Sequence, residues 1–429
     1  MKKKNFFYNF YFILSLLILI FTAYKSEIQW SGTIRGYYFK YYILSLILFL
    51  ISSFYFFFSY EIKKYFNIIF ITIIASIYSF EIYISFLDRN NIFEKSIKAY
   101  EKNDDKKFDV RNKIEILKEL QKDFKKVTLV VKPHEFKSIY TFAGISKHKT
   151  IFCNENGYYA LYESDRYGFN NPDEEWDKTS IEYLLIGDSF IHGSCVNRPD
   201  DISSIIRNFS KKSVINLGFQ GVGPLIEYAL LKEYFPKNVK KILWFYYEGN
   251  DLIDLNRELK STLLKKYFNE ENFSQNLNLQ QDFVDKMLIA LIKYEESKKK
   301  INKLEIYIDK FRKILKLSTT RELLLPKHQP GKDFIKIMSR LKKFADKNNS
   351  ELYFIYLPEY SRYKYNLRNT SYSNIKSKIE NIGIEFIDIN QEVFENLENP
   401  LSLFPFGLPG HYNVDGYYKV GKKVYELTK

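Results

Sequence analysis

Residues 183–190 read Tyr183-Leu184-Leu185-Ile186-Gly187-Asp188-Ser189-Phe190. An apolar run that stops at glycine has the form of a short buried strand, and the small polar pair after it opens a turn. Four comparable runs follow: Ser213–Leu217, Lys241–Tyr247, Glu351–Leu357 and Ile384–Ile389. Between and after them lie stretches with helical spacing: Asp201–Phe209, Leu225–Glu233, Asp333–Asn348, Ser373–Asn381 and Asp415–Leu427. Strands that alternate with helices in this way predict βαβ crossovers and a parallel sheet covered on both faces. The expected fold class is therefore α/β, a three-layer sandwich about a central parallel sheet.

Upstream the pattern changes. Asn5 to Tyr24 and Tyr41 to Tyr60 are each twenty residues without a charge, and Tyr65 to Phe80 continues through Glu81 to Leu87. About 20 apolar residues cross a ~30 Å hydrocarbon layer, so residues 1–90 are expected to be an anchor of three transmembrane helices. Tyr24, Trp30, Tyr37, Tyr38, Tyr41, Tyr42, Tyr60 and Tyr65 fall at the expected ends, where rings favour the headgroup zone. The first run is longer than a signal-peptide core and lacks a small-x-small cleavage site, so it reads as an uncleaved helix. Lys2, Lys3, Lys4, Lys63 and Lys64 favour a cytoplasmic N-terminus, and three crossings then put the remainder outside. Arg89, Lys95, Lys98 and Lys102 pull the other way. Glu81 is either an intramembrane functional carboxyl or a locally paired side chain near the outer end.

Composition excludes several classes. Two cysteines, Cys153 and Cys195, rule out a disulfide-stapled scaffold and a thiolate-rich cluster. Five histidines without a His-x-x-x-His pair argue against a protein-built metal site, and no cofactor is called for. The net charge of +14 comes mostly from lysines spread along the chain, so nucleic acid is not an expected partner. The lipid bilayer is.

Ligands of an open parallel sheet bind beyond the carboxyl ends of its strands. There the sequence places Gly187-Asp188-Ser189-Phe190, then Asn216-Leu217-Gly218-Phe219-Gln220-Gly221, then Glu248-Gly249-Asn250-Asp251, and late in the chain Gly410-His411-Tyr412-Asn413. This set suits acyl transfer. A serine hydroxyl needs a base within hydrogen-bond reach, for which His411 is the candidate. An oxyanion needs fixed donors, for which the N–H groups of Ser189 and Gly221 and the amide of Asn250 are candidates. Asp188, Gly249 and Asp251 are read as supporting residues of the turns, with Asp254 beside them.

These four blocks, in this order over roughly residues 180–429, resemble the SGNH/GDSL hydrolase superfamily, whose sheet is flavodoxin-like. The resemblance implies Ser189 as nucleophile, Gly221 and Asn250 as oxyanion donors, and His411 as base. The stretch from Leu403-Phe404-Pro405 through His411 to Gly416-Tyr417 also looks like membrane-anchored bacterial members of unassigned substrate. The family usually carries an Asp three residues before its histidine, where this chain has Leu408. Asp388, Glu392 and Asp415 are weak candidates for the missing acid.

The resulting expectation is a serine esterase at a bacterial inner membrane with a periplasmic catalytic domain. It would remove acyl, foremost acetyl, groups from an acylated carbohydrate or small ester through an acyl-enzyme. Alternatives are an O-acyltransferase acting on an envelope or extracellular polysaccharide with an acyl-donor membrane partner, and a glycan-binding relative that has lost the chemistry. The expected domains are 1–90, a mixed α/β lead-in over 91–180, and 181–429 with a helical insertion at about 260–332. In the lead-in, Asp109–Lys126 is expected as an amphipathic helix and Val127–Val131 as a strand. The insertion reads as a lid or acceptor-binding cap, or as a solvated excursion.

Asp165-Arg166-Tyr167-Gly168-Phe169-Asn170-Asn171 reads as a packed loop or as a sugar surface. His192 is expected on a helix surface, and His134, His148 and His328 in solvent. Cys153 and Cys195 are either paired, if outside, or two buried thiols.

Overall fold

The structure, a computed structural model, describes residues 6–29, 35–89, 92–103, 107–297, 303–320, 329–366 and 369–429. The chain divides into two units, Met1–Leu87 with Tyr307–Leu323, and Asp88–Ile306 with Leu324–Lys429.

In the first unit, two helices are long and apolar enough to cross a membrane, Phe7–Ile28 and Tyr60–Ser85. The middle apolar segment differs from the expected twenty-residue span. Its helix runs over Arg35–Phe54, with Tyr38–Phe54 as its apolar stretch, and it ends before Tyr60 because the chain tightens into a 3₁₀ turn at Tyr55–Phe57 before the next helix starts. Polar contacts link the first and last of these helices and the turn: Tyr11 Oη donates to Asn67 Oδ1 (2.8 Å), and Asn67 Nδ2 donates to Tyr55 Oη (2.9 Å). Glu81 is fully buried and accepts from the backbone N–H groups of Thr319 (3.0 Å) and Thr320 (2.7 Å). The part of the insertion that carries these threonines thus belongs with the apolar helices.

The second unit is built on five parallel strands: β1 (Ile181–Ile186), β2 (Val214–Asn216), β3 (Val239–Tyr247), β4 (Glu351–Leu357) and β5 (Glu385–Asp388). Their order across the sheet is β5-β4-β3-β1-β2. The register pairs Leu184 with Ile242, Ile186 with Trp244 and Phe245 with Ile355.

Side chains alternate along each strand, so one sheet buries two cores. Leu184, Ile186, Ile242, Trp244, Phe354 and Tyr356 face helices Pro224–Tyr234 and Lys332–Lys347. Tyr183, Leu185, Leu243, Phe245, Ile355 and Leu357 face Ile202–Ser210 and Val414–Thr428. The mixed α/β class with a parallel five-stranded sheet follows directly, and the chain reverses its direction of winding between β1 and β3.

The lead-in forms a small second sheet in which Val127–Leu129 pairs parallel with Lys149–Ile151, and the latter pairs antiparallel with Leu161–Glu163. The expected helix over Asp109–Lys126 is shortened to Lys113–Asp123. Asn112 caps it, accepting from Ile114 N and Glu115 N while the Glu115 carboxylate accepts from Asn112 N.

Residues 260–290 are part of the folded core and not a solvated excursion. Leu264, Tyr267, Leu277, Val284 and Leu288 are buried in the same core as helix Pro224–Tyr234, and Gln275 bonds both ways with the Tyr140 backbone. The 165–171 segment is a packed loop. Buried Asp165 gathers N–H donors from Tyr167, Phe169, Asn171 and Trp176.

Candidate active site

Ser189 begins a four-residue helix directly after β1. Asp188 caps it, its carboxylate accepting from Phe190 N at 2.9 Å, and burial pushes the Asp188 carboxyl up to about 6. A Cβ on Gly187 would lie 2.7 Å from Ile191 and 3.1 Å from Phe245, so glycine lets the turn close tightly over the sheet. Ser189 thus follows β1, the strand at the switch point between β2 and β3.

His411 lies just before helix Val414–Thr428, and Asn413 caps that helix through Gly416 N. The Ser189 Oγ and His411 Nε2 atoms are 2.9 Å apart. On the other edge of the ring, His411 Nδ1 lies 3.0 and 3.1 Å from the two oxygens of Glu155. Glu155 also accepts from the His411 backbone N–H at 2.7 Å. With Nδ1 protonated toward the carboxylate, Nε2 is the lone-pair nitrogen facing the serine hydroxyl.

The electrostatics follow from this contact. Burial alone would lower the His411 pKa, but the Glu155 charge and hydrogen bond, aided by Asp188, hold it above the ordinary histidine value. Glu155 shows the mirror image. Burial would raise its carboxyl, and the charge and hydrogen bonds of His411, with Lys113 nearby, keep it below the ordinary value.

Glu155 was not among the candidates for the acid. Those candidates are engaged elsewhere: Asp388 accepts from Tyr372 Oη (2.6 Å) and Asn390 N (2.9 Å), Asp415 pairs with Lys419, and Glu392 lies 3.8 Å from Lys423. Glu155 comes from the loop of the lead-in hairpin, between strands Lys149–Ile151 and Leu161–Glu163. The one sequence signal that pointed there was Cys153, two residues away. It forms a disulfide with Cys195, six residues after Ser189. Gly410 makes room for the acid, since a Cβ there would sit 2.7 Å from Glu155 Oε2.

Gly221 and Asn250 lie on the loops after β2 and β3, the two neighbours of β1. Gly221 has φ +77°, a left-handed conformation that favours glycine, and the Lys132 stem lies 3.2 Å from where its Cβ would be. Asn250 Nδ2 donates to Asp254 Oδ2 at 2.7 Å, Arg257 pairs with Asp254 at 3.0 Å, and Arg257 Nη2 donates to the Gly221 carbonyl at 3.0 Å. The two loops are thus linked through side chains. Asp251 accepts from Tyr247 N (2.8 Å), and Gly249 packs against the Tyr247 ring.

His192 departs from its expected surface position. It is fully buried, stacks on Phe219 with ring centroids 4.4 Å apart, contacts Tyr162 Oη at 2.8 Å through Nε2, and accepts from Gln220 N at 3.1 Å through Nδ1. Burial, with the charge of His411 adding, pushes it down to about 3. His134 is exposed, His148 is half-buried with Nδ1 2.6 Å from the Ser146 carbonyl, and His328 lies outside the described residues. Glu155, Cys195 and His411 are the one cluster of potential metal donors among the described residues, and the Cys195 sulfur is already bonded to Cys153.

No protein-family model matches the chain, and no curated protein matches it. Among solved structures, it is similar to a protein from Desulfitobacterium hafniense DCB-2 described as lipolytic and of the G-D-S-L family. That match has 13% identity and a TM-score of 0.31, and covers 58% of this chain and 99% of the other. The assignment of the fold rests on the strand order and not on that likeness.

Proposed function

We propose that the chain is a serine esterase of the SGNH type in which Ser189, His411 and Glu155 act as nucleophile, base and orienting acid. The observation that carries this reading is the unbroken line from Ser189 Oγ to His411 Nε2 (2.9 Å) and from Nδ1 to Glu155 (3.0 Å). In the reaction, Ser189 Oγ bonds to the ester carbonyl carbon as His411 takes its proton. The tetrahedral intermediate then expels the alcohol, which receives that proton, and leaves an acyl-serine. Water attacks the acyl-serine with the same base, releasing the acid and restoring the hydroxyl. Glu155 holds the ring in the required tautomer and stabilises the imidazolium. The N–H groups of Ser189 and Gly221 and the second N–H of Asn250 Nδ2 are the proposed oxyanion donors. Their placement after three adjacent strands supports this.

The catalytic reading gains over the non-catalytic one because Glu155 fills the role that Leu408 leaves vacant. We place the domain outside the membrane, with an acyl ester of an envelope carbohydrate as substrate. The apolar helices and the disulfide support that placement, since such bonds persist in oxidising compartments. The test is turnover of short-chain aryl esters by the full-length chain. Activity lost in both Ser189→Ala and His411→Ala is expected, and activity retained in both would end the proposal. The same assay with added oligosaccharide separates hydrolysis from transfer, since a transferase would yield acylated sugar.

A further inference from the structure

We infer that the Cys153–Cys195 disulfide is the positioning element of the active site, holding Glu155 against His411. The inference rests on the Ser189–His411–Glu155 reading and adds a dependence on the oxidation state of two residues that touch neither substrate nor reacting atoms.

The acid has few other attachments. Its loop is closed at the base by Phe152 N to the Ala160 carbonyl and Ala160 N to the Cys153 carbonyl, both 2.9 Å. Beyond that base, Asn154 Nδ2 donates to the Asp109 carbonyl (2.8 Å) and Asp109 N donates to the Gly157 carbonyl (2.9 Å). These bonds stay within the lead-in. Toward the nucleophile the base of the loop is held by Phe152, whose ring centroid lies 4.2 Å from that of His192, and by Leu161 N donating to Asn197 Oδ1 at 2.8 Å. Next to Glu155 itself the loop is held by the disulfide and by Asn156 Nδ2 donating to the Cys195 carbonyl at 2.9 Å, and both of these converge on Cys195.

Cys195 is in turn fixed to the nucleophile's own turn. Ser194 N donates to the Ser189 carbonyl (3.1 Å), and Tyr417 Oη donates to the Ser194 carbonyl (3.2 Å). A continuous covalent path therefore runs from Ser189 through five residues to Cys195, across the sulfurs to Cys153, and through one residue to Glu155. Cys195 also adopts φ +64°, a left-handed conformation in which glycine is the ordinary occupant. A side chain retained there, fully buried, points to a task for that side chain.

A link across 42 residues also stabilises a fold in general, so the test must separate positioning from stability. The full-length chain is labelled with a fluorophosphonate, and the rate of adduct formation on Ser189 is followed against pH by peptide mass spectrometry. Five states are compared: oxidised, mildly reduced, Cys153→Ala/Cys195→Ala, and Glu155→Gln with and without reduction. Reduction adds two electrons and two protons to the sulfurs, and dithiothreitol supplies them by closing to its cyclic disulfide.

Breaking the link is expected to slow labelling about 10²-fold, the loss that a displacement of roughly 1 Å can cause. It should also move the pH inflection down toward that of Glu155→Gln. Reduction of Glu155→Gln should change little further, because the group being positioned is gone. An unchanged rate and inflection after reduction would overturn the inference. So would an equal slowing of wild type and Glu155→Gln, which marks general loosening. If oxidised wild type forms no Ser189 adduct, the nucleophile reading falls and this role falls with it, whereas normal labelling that ignores reduction removes the role alone.

Discussion

The rim of the parallel sheet and the hairpin loop 152–160 hold their reactive groups by different means. At the rim, Ser189 and Asn250 each lie three residues beyond the ends of strands β1 and β3, whose register pairs Ile186 with Trp244. Their positions are set by the sheet, through a buried core on each face. Glu155 has no such frame. It lies on a loop between two three-residue strands, tied covalently to Cys195 through Cys153, and meets His411 through hydrogen bonds alone. The sheet gives precision through many small packing terms, whereas the loop depends on a few strong ones. Single changes should therefore cost function in different ways in the two regions.

The largest effect is expected at the rim. Ser189→Ala removes the attacking atom and should lower kcat/KM for aryl esters by about 10⁴-fold or more, with the thermal midpoint little changed. His411→Ala should follow at about 10²–10⁴-fold. In the loop, Glu155→Gln keeps the shape and removes the charge, and a loss of up to about 10⁴-fold is expected. A loss below tenfold there would mean that the rim works without the loop.

Asn250→Ala deletes one proposed oxyanion donor and should cost roughly 10²–10³ in kcat, with KM nearly constant. Gly410→Ala sharpens the comparison from the side of packing. The added methyl would meet the Glu155 carboxylate at 2.7 Å, and a loss of about 10²-fold in kcat is expected. At the bottom of the scale, His192→Gln should leave catalysis within a few-fold. It should lower stability by about 1–3 kcal/mol, through a buried partner left unpaired, as read by denaturant titration.

The two regions also differ in how far the sequence exposes them. Strand β4 was delimited to the residue at Glu351–Leu357, and the others within two residues at either end, because a continuous apolar run between polar helices leaves little choice. Ser189 and His411 were legible as a pair because each sits in a compact block at a strand end or helix start. Glu155 was not, since nothing within Cys153-Asn154-Glu155-Asn156-Gly157 marks an acid as catalytic. Its role arises from tertiary docking, and position alone pointed to Leu408. His192 was misplaced for a related reason. Three residues beyond a catalytic serine suggests an exposed helix face, yet that helix has four residues and then turns into the core. The middle apolar helix lies at Arg35–Phe54 and not at Tyr41–Tyr60, because absence of charge does not show where a helix starts or breaks.

The central claim is that Glu155 acts on Ser189 through His411, and the pH dependence of kcat/KM in wild type and Glu155→Gln tests it most directly. The base must be neutral to accept a proton, so activity rises with pH through the His411 pKa. With the carboxylate raising that pKa, the wild-type inflection should lie above the ordinary histidine value, and in Glu155→Gln it should move to lower pH as the plateau falls. Coincident inflections in the two proteins, at unequal or equal plateaus, would contradict the account.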